Sequence, residues 1–520
     1  MIKFGTDGWR DIIADGFSFE NVRRVAQAVS DHVKASCRSS VASAPGGLRP
    51  RGGRPRLVVG YDTRFLSAEF AQQAALVAAA NGIEVFLTES FAPTPAVSLS
   101  VVDKEADGAI LITASHNPPH YNGFKFKASY GGSATPDITE RIEQHYRKNL
   151  ARDKRPSMIS LEKAVGSGRL HFFDPKEAYL PHIFNLLNKD SFSRLKVVVD
   201  PMYGAGQGYL SEALSRLGCY VEEIHNEINP SFGGVNPEPI SENLGALRDK
   251  VAKGNFDVGL AMDGDADRIG AIDARGDFIN SHQIFALLLE HLVGCRGWRG
   301  DVVKTVSGTR MIDLLTQKYG LKLFETPVGF KYICEHILSG DVLIGGEESG
   351  GVGIKNHIPE RDGILVGLLL VEMMAMHQKT LGELVDDLMR RLGYFYYDRM
   401  DIDIGPSSRE SISARLEAFE STELVGSKVV AVNAVDGYKF CLDDGSWLMI
   451  RPSGTEAVVR IYAEADSPQK VSLLLKKGQE IVSAAARPAC RRACRQTGQA
   501  GNVKNIPRKT KRGAMVDERR

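Results

Sequence analysis

Three short apolar runs organise the reading of this chain. Residues 109–112 (AILI), 257–262 (DVGLAM) and 341–344 (DVLI) each have strand length. An Asp stands at the start of each or, for the first run, two residues before it: Asp107, Asp257 and Asp341. Each run then stops in a polar loop: TASHNP at 113–118, DGDADR at 263–268 and GGEESGG at 345–351. Ser115 is thereby expected at the carboxyl end of a strand, where open α/β sheets place their ligands. Taken alone, that loop reads equally well as a turn, since Ser, Asn and Pro are ordinary turn residues. Three strand ends of one design, bearing a hydroxyl, a carboxylate cluster and a polyol reader, point instead to one shared cleft.

The rest of the chain supplies strands and helices in alternation, which means α/β. Residues 21–34 carry Val22, Val25, Val29 and Val33 on one helical face. Residues 57–61 read as a strand, 68–80 as an Ala-rich helix closed by Gly82, and 83–87 as a second strand. Further strands are expected at 195–200 and 301–306, and an apolar helix at 365–376. Gly204 and Gly206 follow one of these strands and could cradle an anion or form a plain turn. Beyond residue 393 the rhythm changes. Short alternating runs at 400–404, 428–433, 438–442, 446–450 and 458–462 read as an antiparallel sheet, with helices at 410–418 and 468–482.

A chain of 520 residues exceeds one ordinary core. The pattern divides into 1–172, 173–277, 278–392 and 393–486. The expected fold class is α/β, with three similar mixed-sheet α/β/α domains and a smaller α+β domain around a central cleft. Residues 36–56, rich in Ser, Ala, Pro, Gly and Arg, read as a disordered insertion. Residues 487–520 carry eleven Lys/Arg against two Asp/Glu, or +9, which leaves −8 elsewhere in a chain of net charge +1. This tail reads as solvated rather than as a nucleic-acid site. No apolar run reaches the roughly 18 residues of a membrane helix, and 1–7 (MIKFGTD) is no signal peptide. The seven scattered cysteines fit a reducing cytoplasm, and Cys490 and Cys494 lack the partners of a zinc site. Monomer and homodimer both remain open.

Asp263, Asp265 and Asp267 alternate along one loop and repel one another unless a cation sits among them. Oxygen ligands in a compact loop suit Mg²⁺. A strand-end serine beside Mg²⁺ suggests phosphoryl transfer, with a phosphate on Ser115 completing the ligand set. Lys125, Arg268 and Arg10 are the candidate cations for the transition state. Arg10 follows a Gly-rich turn, FGTDG at 4–8, and reads either as a phosphate contact or as a stray surface Arg. Glu347 and Ser349 could hydrogen-bond adjacent sugar hydroxyls. In the last unit, Arg451, Ser453, Gly454, Thr455 and Arg460 form either a dianion trap or a basic hairpin turn.

Four stretches carry a resemblance: TASHNP at 113–118, DGDADR at 263–268, GEESG at 346–350 and RPSGT at 451–455. In that order, the chain resembles the α-D-phosphohexomutases, the phosphoglucomutase and phosphomannomutase family. The resemblance implies that Ser115 carries the phosphoryl group and that Ser115, Asp263, Asp265 and Asp267 hold Mg²⁺. It implies that the fourth-domain loop grips the substrate's own phosphate and that a sugar 1,6-bisphosphate primes the enzyme. The partners would then be small sugar phosphates. TPVGFK at 326–331 and HIPERDG at 357–363 look like phosphoglucomutase loops and add Gly329, Lys331 and Arg361 as substrate contacts. Phosphomannomutase and phosphoglucosamine mutase types usually carry His where this chain has Gly351. Eukaryotic-type phosphoglucomutases carry Lys, a suggested base, where it has Arg361, and Arg stays protonated. The general base is therefore Lys125 or His116. Glucose phosphates are the expected substrates. Mannose phosphates, alone or together with glucose phosphates, are the alternative, ahead of pentose and glucosamine phosphates. A phosphatase would differ by releasing free phosphate.

Overall fold

The computed structural model describes residues 2–5, 7–38, 54–192, 194–404, 409–417, 419, 421–453 and 458–486. Four sheets organise them. The first contains β1 (Trp9–Ile12), β2 (Arg56–Tyr61), β3 (Glu84–Thr88), β4 (Gly108–Ile112), β5 (Tyr121–Ala128) and β6 (Leu170–Phe173), in the order β1-β5-β4-β2-β3-β6. The second contains β7 (Lys196–Asp200), β8 (Tyr220–Glu223), β9 (Val258–Met262), β10 (Ile269–Asp273) and β11 (Phe278–Ile279), ordered β11-β10-β9-β7-β8. The third contains β12 (Asp301–Thr305), β13 (Leu323–Thr326), β14 (Val342–Gly346) and β15 (Val352–Ile354), ordered β13-β12-β14-β15.

The three apolar runs occupy one topological position. Each of β4, β9 and β14 runs parallel to one neighbour (β2, β7, β12) and antiparallel to the strand that follows it (β5, β10, β15). Every residue of the three strands is buried, because helices cover both faces of a mixed sheet and leave no solvent side for alternation. Each polar loop is thus the connection from a central strand to its antiparallel partner.

The fourth sheet is antiparallel throughout: β16 (Tyr396–Asp403), β17 (Glu423–Leu424), β18 (Ser427–Asn433), β19 (Tyr438–Leu442), β20 (Trp447–Pro452) and β21 (Val458–Ala465), ordered β16-β21-β20-β19-β18-β17. The helix Pro468–Ala486 packs on it. Trp447, Met449 and Tyr462 bury their side chains against Val306 of the third unit. The helix Gly363–His377 is apolar all round, with Gly363 to Met374 buried. It lies in one core with Val197 and Leu260 of the second sheet and Val302 and Leu343 of the third. That shared core fuses the second and third units. Among the described residues, no single helix is long and apolar enough to cross a membrane.

Most expected elements form within a residue or two of their expected ends. The largest difference lies at the proposed insertion. The first helix runs Phe19–Arg38 and β2 starts at Arg56, so residues 36–38 and 56 belong to regular structure. The reason is packing, since Cys37 lies against the core of the first unit. Residues 39–53 and the tail 487–520 lie outside the described residues. Lys331 sits in the first turn of the helix Phe330–Ser339 rather than in a loop.

Candidate active site

Ser115 sits two residues past Thr113, in the left-handed region at φ 55°. Few non-glycine residues adopt that conformation without support. Its N–H donates to Thr113 Oγ1 at 2.9 Å. The larger support is Arg64, whose buried guanidinium donates to the carbonyls of Ser115 and Asn117 at 2.6 Å, Pro118 at 2.9 Å and Tyr121 at 3.0 Å. Asp62 fixes that fork through Arg64 Nε at 3.1 Å. The loop is therefore a braced scaffold, and the hydroxyl it presents is fully buried, donating to Asp263 Oδ2 at 2.7 Å. His116 Nδ1 lies 3.4 Å from the same Oγ.

The carboxylate loop closes over Ser115 from the second unit. A Cβ on Gly264 would lie 2.5 Å from the Ser115 carbonyl oxygen, so only glycine permits this approach. Asp263, Asp265 and Asp267 are buried, with ligand oxygens within 4.8 Å of one another. Burial, then Asp267 and Asp265, push the Asp263 carboxyl well above its ordinary pKa. Burial also acts to raise Asp265, but Lys125 and Thr94 outweigh it and hold that carboxyl low. Thr94 Oγ1 donates to Asp265 Oδ2 at 2.6 Å, and Lys125 Nζ reaches the same oxygen at 2.8 Å. Lys125 also lies 2.8 Å from Asp7 and 3.6 Å from Asp267. Burial acts to lower the pKa of this ammonium, but Asp265, Asp7 and Asp267 outweigh it and raise it above the ordinary value.

The donor set fits a hard divalent cation. Asp265 Oδ1 and Asp267 Oδ1 are buried oxygens with no hydrogen-bond donor. Two such carboxylate oxygens, beside a third carboxyl whose ionisation burial and the neighbouring carboxylates oppose, are what an oxygen-coordinated Mg²⁺ would satisfy. The turn at Gly204 and Gly206 lies behind this loop. The Ala205 N–H donates to the Gly264 carbonyl at 2.9 Å, so the turn braces the loop instead of cradling an anion.

The third loop is fastened to the second by a bridge between Arg268 and Gly351. The Glu347 carboxylate meets Arg361 Nη1 at 3.1 Å, while Nη2 of the same guanidinium pairs with Asp267 at 2.6 Å and Asp7 at 2.7 Å. Arg361 thus joins the first three units. It reaches there because position 351 is glycine, where a Cβ would lie 2.1 Å from Arg361 Cδ. In the fourth unit, Arg451 Nε pairs with Asp436 at 2.8 Å, and Asp436 also accepts the Val328 N–H at 3.0 Å. Arg460 Nε lies 3.6 Å from Asp401. Gly454 and Thr455 lie outside the described residues.

All four units line one cleft of about 420 Å³, within the usual range for small-ligand sites. Arg10, His116, Arg268, Gly329, Lys331, Glu347, Ser349, Arg361, Arg451, Ser453 and Arg460 line it. Ser115, Lys125 and the three Asp lie buried beneath. Arg10 Nη1 donates to Asn117 Oδ1 at 3.2 Å, which places it on the serine loop. Sequence reasoning missed Asp7, Arg64, Thr94 and also Arg399, which lines the same cleft. Arg64 stands at the end of β2, the same kind of place as the loops that were found. Asp7 was visible inside the Gly-rich turn, but an acid there reads by default as solvated.

The comparisons with known proteins agree with this geometry. Residues 1–153, 177–276 and 280–392 match alpha/beta/alpha domains I, II and III of phosphoglucomutase/phosphomannomutase, and 415–477 match its C-terminal domain. A phosphoglucomutase of Komagataeibacter xylinus is 30% identical over 93% of this chain and 91% of its own. A phosphoglucosamine mutase of Leifsonia xyli is 33% identical over 92% of this chain and 98% of its own. The crystal structure of a putative phosphomannomutase from Thermus thermophilus superposes with a TM-score of 0.78, at 35% identity, covering 93% of this chain and 99% of that one. The chain belongs to the phosphoglucomutase/phosphomannomutase family, the α-D-phosphohexomutases. It is a phosphohexomutase, an intramolecular phosphotransferase of a Mg²⁺-dependent family.

Proposed function

We propose that the chain interconverts glucose 1-phosphate and glucose 6-phosphate through phosphorylated Ser115 and a bisphosphorylated sugar. The observation that carries this reading is the Ser115 hydroxyl, braced at a strand end and 2.7 Å from a buried Asp cluster below a cationic cleft. A sugar hydroxyl attacks the phosphorus on Ser115. A new O–P bond forms, the Oγ–P bond breaks, and the sugar hydroxyl proton is passed by His116 to the leaving Ser115 Oγ. After the bisphosphate turns around, the Ser115 Oγ takes back the other phosphoryl group and gives up its proton, which His116 passes to the leaving sugar oxygen. His116 suits this role by its 3.4 Å approach to Oγ, whereas Lys125, held charged by three carboxylates, stabilises charge.

Ser115 phosphate, Asp263, Asp265 and Asp267 would hold Mg²⁺, which when bound neutralises charge on the transferring phosphoryl oxygens. Glu347 and Ser349 read the sugar hydroxyls. Arg451, Ser453, Gly454, Thr455 and Arg460, with Lys331, grip the distal phosphate. A sugar 1,6-bisphosphate supplies the first phosphoryl group. Glucose is favoured because position 351 is Gly, where mannose- and glucosamine-type enzymes usually carry His, and because Arg361 fills the space a side chain there would need. Relatives named for glucose, mannose and glucosamine phosphates lie at similar identity, so a panel is the test. Glucose 1-phosphate should turn over with the highest kcat/KM among the glucose, mannose and glucosamine 1-phosphates. Ser115→Ala should lower every rate by at least about a thousandfold while the fold persists. Faster turnover of another sugar overturns the glucose assignment, and near-normal turnover by the variant overturns the phosphoserine route.

A further inference from the structure

Far from the cleft lies a group of ligating side chains that the reaction does not use. The helix Ser281–Gly294 carries His291 in its last turn, and Cys295 follows one turn later. The helix Gly363–His377 ends at His377 beside them. Ligand atoms of His291, Cys295 and His377 all lie within 4.8 Å of one another. Cys295 Sγ is 3.2 Å from His377 Nε2, and the two imidazole rings stand 6.5 Å apart.

His291 is the informative member. It is 1% exposed, and its Nε2 lies 2.9 Å from Glu372 Oε1. That carboxylate is itself fixed by Arg296 at 2.6 Å and by the Asn188 N–H at 2.7 Å. An acceptor at Nε2 places the imidazole proton there and leaves the lone pair on Nδ1. The His291 Nδ1 is buried and has no hydrogen-bond partner. Leaving such an atom unsatisfied is unfavourable, and a ligand on it would remove that penalty. A carboxylate behind an imidazole, orienting its free nitrogen forward, is the outer-shell arrangement of metal-bound histidines.

We propose that His291, Cys295 and His377 bind a divalent transition metal ion of the zinc class, with a fourth position open to solvent. One thiolate and two imidazoles favour Zn²⁺ over Mg²⁺, the reverse of the all-oxygen Asp loop. Tetrahedral Zn²⁺ with ordinary bond lengths separates sulfur from nitrogen by about 3.5 Å, close to the observed 3.2 Å. The nearby carboxylates are committed elsewhere: Glu290 pairs with Arg391 and Lys318, and Asp387 with Lys379 and Arg390. The fourth ligand is therefore water or a small anion from the adjoining cavity. The 15-residue helix Gly363–His377 separates His377 from the cleft-lining Arg361 by about 22 Å, so the ion clamps two helix ends and leaves the chemistry alone.

The full chain, stripped with a chelator and resupplied with excess Mg²⁺ to occupy the Asp loop, is titrated with Co²⁺. The expected result is a thiolate-to-cobalt charge-transfer band saturating at one equivalent and displaced by Zn²⁺. Cys295→Ser, an isosteric change at an exposed position, should lose the band and the rise in Tm that Zn²⁺ gives the parent. His377→Ala should weaken Zn²⁺ binding about tenfold or more. Mutase turnover with Mg²⁺ should stay within about twofold in both variants. No band in the parent chain, or a band that persists in Cys295→Ser, overturns the proposal.

Discussion

Arg64 shows how one side chain can set the chemistry without touching substrate. Its fork holds the carbonyls of Ser115, Asn117, Pro118 and Tyr121, and through them the left-handed backbone of the nucleophile. A lysine keeps the charge but cannot span that array. Arg64→Lys is expected to lower kcat about 10- to 100-fold, with KM nearly unchanged, since a displacement near 1 Å at the reacting atom costs that much. An equal loss in KM and none in kcat would show that the brace matters only for binding. Gly351 makes the opposite point, because its importance is the absence of a side chain. A Cβ there would lie 2.1 Å from Arg361 Cδ, and its backbone needs no left-handed conformation, so the effect of substitution is steric. Gly351→Ala should displace Arg361 from Asp7, Asp267 and Glu347, lowering kcat/KM and destabilising the fold by about 1–3 kcal/mol. Steady-state kinetics together with urea unfolding would separate the two effects.

At the scale of elements, one hairpin is used three times. A buried strand, parallel to one neighbour and antiparallel to the next, delivers the Ser115 hydroxyl, the Asp263–Asp267 carboxylates and the Glu347 loop to the cleft. The helix after β11 links this frame to the fourth sheet. His282, in its first turn, stands 4.1 Å from the Tyr397 ring, centroid to centroid. Burial, then Lys304 and Lys439, lower its pKa to about 3. The folded state therefore resists protonating His282, while the unfolded chain takes the proton near pH 6.5. The contribution is fully present above pH 6.5 and is lost as pH falls toward 3, the slope rising to about 1.4 kcal/mol per pH unit once the unfolded imidazole is protonated. His282→Gln should flatten the fall in stability between pH 6.5 and 5, a range above most carboxylate titrations. Denaturant midpoints for both proteins across that range would show it, and parallel profiles would show that His282 contributes nothing.

On the scale of the whole molecule, four units line one cleft, and the proposed phosphate grip and the proposed phosphoryl transfer fall in different ones. Arg451 lies on the fourth sheet, remote from the reacting bond, while Asp265 lies beneath Ser115. Arg451→Ala is expected to raise KM about 10- to 100-fold, the loss of a charge-assisted phosphate contact, and to lower kcat less. Asp265→Ala should instead lower kcat about a hundredfold or more, with a raised Mg²⁺ requirement. Kinetics on glucose 1-phosphate at saturating Mg²⁺ and primer would test the division, and an unchanged KM in Arg451→Ala would remove that loop from the phosphate grip. Much of this was legible in the chain itself. Strand ends such as Ile112 and Met262 are local events, written by an apolar run and the polar residues that stop it. The carboxylate spacing of Asp263, Asp265 and Asp267 is equally local, and it announces a cation before any fold is known. What the chain alone could not state is which distant groups meet. Arg361 is adjacent in sequence to Glu360 and Asp362, yet its partners are Asp7, Asp267 and Glu347. Lys125 is likewise held charged by three carboxylates brought from two units, and His291 is oriented by Glu372 across a helix pair. The periodicity of the backbone and the chemistry of a loop are set within a few residues, so the elements, their class and the candidate nucleophile can be read from local pattern. Charge state, bracing and the meeting of helix ends depend on contacts between residues far apart in the chain, which the local pattern does not encode.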